Sequence, residues 1–194
     1  MLSELIEKLR REHGNFTRLL DQVDELIQRF DAGEAVEYEL LHDIMYYMTH
    51  YPDQYHHPLE DLLFAELARH HEEFRAPMTD LAEQHIRIAQ SGKTLIEDLE
   101  AILGGAVVSR EMVVQDASGY STLMRRHMEH EEETLLPMLE KHASEIDWAP
   151  VLANIDDLVD PIFGEVVEQR YQAVHRQIAT DIDCGCDVEI KPAD

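Results

Sequence analysis

Long apolar runs are missing from this chain. No stretch of about 18 apolar residues occurs, which excludes a membrane-spanning helix. Basic side chains are scarce as well: Lys and Arg total 16 against 41 Asp and Glu, a formal net charge of −25. A field of that sign repels phosphate backbones and anionic lipid surfaces, so neither nucleic acid nor a membrane is an expected partner. Cysteine is almost absent. Cys184 and Cys186 sit together in "DCGCD", too close for a stapling disulfide and too few for a disulfide framework. The opening "MLSELIEKLRREHG" mixes charge with Leu and Ile at helical spacing and lacks the apolar stretch of a signal peptide, so a cytoplasmic location is expected. Strand-like alternation is nearly absent too, which leaves helices.

The helical signal is strong. Leu5, Leu9, His13, Phe16 and Leu20 form one stripe of an amphipathic helix over 3–30, ended by "DAGE" with Gly33 as C-cap glycine. A second pattern runs from about 35 to 70. Pro52 and Pro58 interrupt it, and each predicts a kink or short break because it removes a backbone donor. Pro77 opens a third helix that stops at Gly104-Gly105, and a fourth spans about 109–142. Four long helices joined by short turns predict an all-α, up-down-up-down four-helix bundle over 1–145. Residues 146–194 are expected to add a fifth helix, about 151–180, that packs along the bundle or makes a homodimer contact, and then a polar tail.

Histidine is what the chain has in excess: 12 residues, unevenly placed. His13 to His56 spans 43 residues and His85 to His127 spans 42, so 1–70 and 75–142 read as two equivalent helix pairs. Each pair donates a lone histidine on an apolar stripe (His13, His85) and a His-x-x-x-Glu motif (His56/Glu60, His127/Glu131). Residues four apart share a helix face. A lone striped histidine is usually a hydrogen-bonded core residue, and His-x-x-x-Glu is common in acidic helices. Their conjunction is different, because burying such groups without a partner costs roughly 1–3 kcal/mol each. Six convergent imidazoles and carboxylates suit iron, zinc or manganese, and a carboxylate from each half can bridge two metals.

The stretch "YHHPLED" at 55–61 leaves an ambiguity of register. His56/Glu60 continues into Leu63, Phe64 and Leu67, whereas His57/Asp61 runs on to Ala65 and Ala68. The first pair is the better choice for the inner face. His57 is then a neighbouring group or, given Pro58, an extra ligand.

The motifs "EHGNF", "YHHPLEDLLF", "EQHIRI" and "HMEHEEETLLP" together resemble the hemerythrin-like (HHE cation-binding) domains over about residues 3–142. That resemblance implies a bundle holding two iron ions, bridged by both glutamates and by an oxo or hydroxo group. Its ligand positions carry over to His13, His56, Glu60, His85, His127 and Glu131. Two departures stand out. Oxygen-carrying hemerythrins use two histidines four apart on the third helix, but Leu81 and Ala89 flank His85 here at that spacing. Their last helix uses His-x-x-x-x-Asp, where this chain has His127-x-x-x-Glu131, with Glu132 at the longer spacing. One fewer histidine implies an open position on one iron. Tyr46, Tyr47, Tyr51 and Tyr120 lie on ligand-bearing helices and could fill it, although tyrosines near a bundle core usually pack and bond outward.

The expected function is therefore binding of, or reaction with, a small molecule such as oxygen, nitric oxide or peroxide. The alternatives are a non-catalytic iron sensor, or an enzyme of peroxide decomposition or iron-centre repair. The other histidines, His142 among them, fall off the ligand stripes, and His70-His71 marks a helix end.

Overall fold

A computed structural model describes residues 2–153, 155, 160–164 and 167–181. Helix α1 (Leu2–Asp31) is followed by α2 (Tyr38–Tyr51), a π-turn (Pro52–His56) and α3 (His57–His70). Then come α4 (Arg75–Leu103), α5 (Arg110–His130), a second π-turn (Glu131–Leu135) and α6 (Leu136–His142). The continuous rods α2–α3 and α5–α6 pack with α1 and α4 as a four-membered bundle, and no strand occurs among the described residues. Both helix pairs turn on a glycine. Gly33 (φ 80°) and Gly105 (φ 84°) take the left-handed conformation, and the next residues, Glu34 and Ala106, donate their N–H groups back to Arg29 and Ala101 carbonyls.

The expected kinks at the prolines take a particular form. Pro58 cannot donate to the carbonyl four residues back, and its ring crowds that carbonyl. The chain widens instead, and the His57 N–H reaches the Pro52 carbonyl, five residues back. Pro137 has the same effect one rod later, where the Leu136 N–H reaches the Glu131 carbonyl. Single wide turns of this kind recur at functional sites.

The core is divided along the bundle axis. One apolar cluster holds Leu2, Ile6 and Leu9 with Leu63, Leu67, Leu81 and Leu139. The other, larger, holds Phe16, Leu20 and Val23 with Ile44, Met48, Leu95, Ala117 and Met124. Each helix passes from one cluster to the other through a short polar stretch, and those stretches lie at one level. Gly92 permits the closest approach in the larger cluster: a Cβ there would lie 2.5 Å from Thr49 Cγ2 and 3.0 Å from Tyr120 Cε2.

The C-terminal part differs from the continuous helix expected over 151–180. It forms a short α7 (Ala149–Leu152) and a separate α8 (Gln172–Asp181). Between them Asp160 Oδ1 accepts the N–H groups of Ile162 and Phe163, and this side-chain cap with Pro161 and Gly164 makes a turn where a helix was expected. Ile162, Tyr171, Val174 and Ile178 are buried in the larger cluster, so the segment packs on its own bundle. Cys184, Cys186 and the tail lie outside the described residues. No helix is long and apolar enough to cross a membrane among the described residues.

Candidate metal centre

The polar level between the two clusters is made of His13, His56, His57, Glu60, His85, His127 and Glu131, all buried. Their donor atoms form two groups that share Glu60: His13, His56, Glu60 and Glu131 on one side, and His57, Glu60, His85 and His127 on the other. Within each group the atoms lie within 4.8 Å of one another. Every residue expected to ligate is therefore brought together.

Of the two places left open for His57, the structure has the inner one: His56 and His57 both point inward. In a regular α-helix adjacent side chains diverge by about 100°. The π-turn ending at His56 relaxes that divergence, and the two rings straddle the bundle axis. His56 faces α1, its Nε2 lying 3.0 Å from His13 Nε2. His57 faces α4 and α5, its ring stacked 4.2 Å from that of His85 and edge-on at 5.3 Å to that of His127. Asp61 is not at the centre; its Oδ1 accepts the Nδ1–H of His85 at 3.1 Å.

That contact belongs to a ring of orienting bonds that sequence reasoning missed. Glu12 on α1 accepts from His56 Nδ1 at 2.7 Å. Asp61 on α3 holds His85, and Gln84 on α4 accepts from His127 Nδ1 at 3.3 Å. Glu132 closes the circle by accepting from His13 Nδ1 at 2.8 Å. Each helix uses the residue beside its own inward group to aim the next helix's histidine. His57 is aimed within its own rod, by Asp53 Oδ1 at 3.2 Å. With Nδ1 occupied on all five rings, Nε2 is left facing the interior, the arrangement that fixes metal-ligating imidazoles.

Most of the interior atoms lack partners. His57 Nε2, His85 Nε2, His127 Nε2 and both oxygens of Glu60 and of Glu131 are buried with no hydrogen bond. These seven are most of the nine such atoms among the described residues, so the deficit is concentrated at one place. Leaving each unsatisfied would cost about 1–3 kcal/mol. Nitrogen and carboxylate oxygen lone pairs converging in this way fit a cation.

Electrostatics say the same. Burial and the carboxylate of Glu60 push Glu131 up to about 8. Burial also raises Glu60, but the charge of His56 and the close imidazoles of His13 and His85 outweigh it and hold Glu60 well below the usual carboxylate range. Burial lowers His13, yet Glu131 and Glu60 lift it to about 11, so it is cationic between them. His57, by contrast, is pushed well down by burial and by the neighbouring charge of His85, and burial takes His127 down to about 3. Two carboxylates thus borrow positive charge from protons, which a metal ion would displace.

Two cavities reach this level, and both touch the group with two imidazoles. One, about 270 Å³, is lined by Lys8, Glu12, Tyr51, Tyr55, His56 and Leu62, among others. The other is lined by His13, Gly14, Thr17, Arg125, Met128 and Glu132, with Arg10 and Glu129. The four tyrosines considered as ligands are engaged elsewhere. Tyr46 stacks on His50, Tyr47 donates to Asp160, Tyr51 donates to Glu12 at 2.7 Å, and Tyr120 donates to the Met48 carbonyl.

A helical bundle with a buried histidine–carboxylate layer between apolar clusters is a cation-binding class of fold. The family model of the hemerythrin HHE cation binding domain matches residues 4–139, and the chain belongs to that family. Among curated proteins it is similar to Uncharacterized protein Rv1995 of Mycobacterium tuberculosis and Uncharacterized protein Mb2018 of Mycobacterium bovis. Each is 24% identical over 178 residues, covering 89% of this chain and 67% of the relative. No solved structure matches at a comparable level.

Proposed function

We propose that the chain is a non-heme di-iron protein of the cytoplasm that binds or reacts with oxygen, nitric oxide or a peroxide. The observation that carries this reading is the sharing of Glu60 by two four-residue donor groups, seven of whose inner atoms have no hydrogen-bond partner. His13, His56, Glu60 and Glu131 would hold one ion, and His57, Glu60, His85 and His127 the other. Bound there, an iron pair supplies electron exchange with a small oxidant or diatomic molecule. The protein supplies the rest. The Nδ1 partners keep five imidazoles aimed, the apolar clusters exclude bulk water, and the buried carboxylates offset the ions' charge.

The two-imidazole group is the reacting side on this reading, because it has one fewer nitrogen donor and both cavities border it. The test is optical. Iron-loaded protein exposed to oxygen, nitric oxide or hydrogen peroxide should change its near-ultraviolet and visible bands with at least one of them. Bands indifferent to all three would overturn the reading. Whether the response turns over peroxide or stops at binding is settled by the same samples, followed over repeated additions.

One observation favours a sensing role. His56 Nδ1 donates to Glu12, which accepts from Tyr51; Tyr51 stacks at 5.3 Å on Tyr47, and Tyr47 donates to Asp160 of the C-terminal segment. A ligand of the centre is thus linked to the segment beyond the bundle. Hydrogen exchange over 160–178 with and without iron tests this; protection unchanged by iron would exclude it.

A further inference from the structure

The intervals that build the buried centre continue past it. His71 lies fifteen residues after His56, and His142 lies fifteen residues after His127. The same repeat that pairs Glu60 with Glu131 therefore pairs His71 with His142, each eleven residues further on. Eleven helical residues rise about 16 Å, which takes both to the end of the bundle, well away from the buried layer. There the two imidazoles meet, ring centroids 4.3 Å apart.

We infer that His71, His142 and Glu145 form a second, surface metal site for a divalent transition ion of the zinc type. His71 Nε2 and His142 Nδ1 lie 3.3 and 3.1 Å from the same oxygen of Glu145. Two donors bound at about 2.1 Å to a tetrahedral ion are roughly 3.4 Å apart, so these edges already have the right length. Two imidazoles and a carboxylate are a borderline donor set, suited to zinc and its neighbours rather than to calcium or magnesium.

The surroundings hold the donors in place. The ring of Phe74 packs edge-on against both imidazoles, at 5.7 and 5.3 Å. Both histidines close helices, His71 as the C-cap of α3 and His142 as the last residue of α6, where the exposed carbonyl ends favour a cation. Their side chains are mostly shielded, at 18% and 13% exposure, while Glu145 is half exposed, so the open face of the site is toward solvent. An ion here would clamp the ends of the two rods that carry Glu60 and Glu131.

The test uses the full chain with Cys184→Ser and Cys186→Ser in every arm, which removes the thiols as competing ligands. Zinc uptake by the iron-loaded protein is measured by equilibrium dialysis, beside His71→Gln, His142→Gln and Glu145→Gln. The parent should take up about one zinc per chain more than either histidine variant. Equal uptake by the parent and both variants would overturn the inference. Should a histidine variant misfold by circular dichroism, Glu145→Gln decides, because that side chain is half exposed and its loss removes a ligand without opening the core. The site is read as a difference between variants. That difference survives if the buried layer takes zinc in place of iron, so failure of the di-iron reading and failure of this one are distinguishable.

Discussion

The two donor groups that share Glu60 are built alike and situated differently. One has two imidazoles and two carboxylates and is bordered by the two cavities; the other has three imidazoles, two of them stacked, and lies between α3, α4 and α5. The difference comes from one feature of the backbone. The π-turn at Pro52–His56 gives the first group His56 and the second group His57 from neighbouring positions. A fold of repeated helix pairs would otherwise supply two equal groups. One extra inward residue makes them unequal, and on the proposed reading the two-imidazole group is the reacting side.

The largest effect should come from removing what the groups share. Glu60→Ala deletes the carboxylate common to both, and iron content should fall from about two per chain to below about one, measured by elemental analysis. Retention of both ions would show that the groups are independent.

Next come the paired histidines. His56→Ala and His57→Ala should each cost about one ion per chain, where a regular helix would make only one of them matter. Their responses should also separate. Nitric oxide should still perturb the spectrum of iron-loaded His57→Ala and leave that of His56→Ala unchanged; the opposite order would place the reacting side at α4 and α5.

Removing an orienting bond is milder. Glu12→Gln keeps the ligands but replaces the acceptor of the His56 Nδ1–H, and iron affinity by competition titration should drop roughly 10–100-fold. The smallest effects test the scaffold. Gly92→Ala should destabilise the metal-free bundle by about 1–3 kcal/mol in urea, since neither Thr49 nor the buried Tyr120 can give way freely. Tyr47→Phe should cost about 1 kcal/mol through the bond lost from Asp160.

Much of this was legible in the residues. The stripes of α1 and α4, the glycines that end them and the doubled His/Glu intervals are local or periodic, and local patterns survive folding. His57 was ambiguous because the 3.6-residue period fails where Pro58 forces a wide turn. Glu12, Asp53 and Gln84 were invisible for another reason. Each looks like one more polar surface residue, and only the approach of a neighbouring histidine gives it a role. A signal did exist, since Glu12, Asp61, Gln84 and Glu132 all sit beside an inward residue. In the C-terminal segment one continuous helix was expected. The Asp160 cap and Pro161 outweighed it, because a side chain that satisfies two backbone donors offers the chain a stable alternative to helix.

On the proposed reading, one carboxylate-linked layer holds two ions side by side. Iron stoichiometry together with low-temperature Mössbauer spectra in an applied field tests it most directly. About two irons per chain, exchange-coupled to a diamagnetic ground state when oxidised, is the predicted result. One iron per chain, or two that behave as isolated paramagnets, would contradict it.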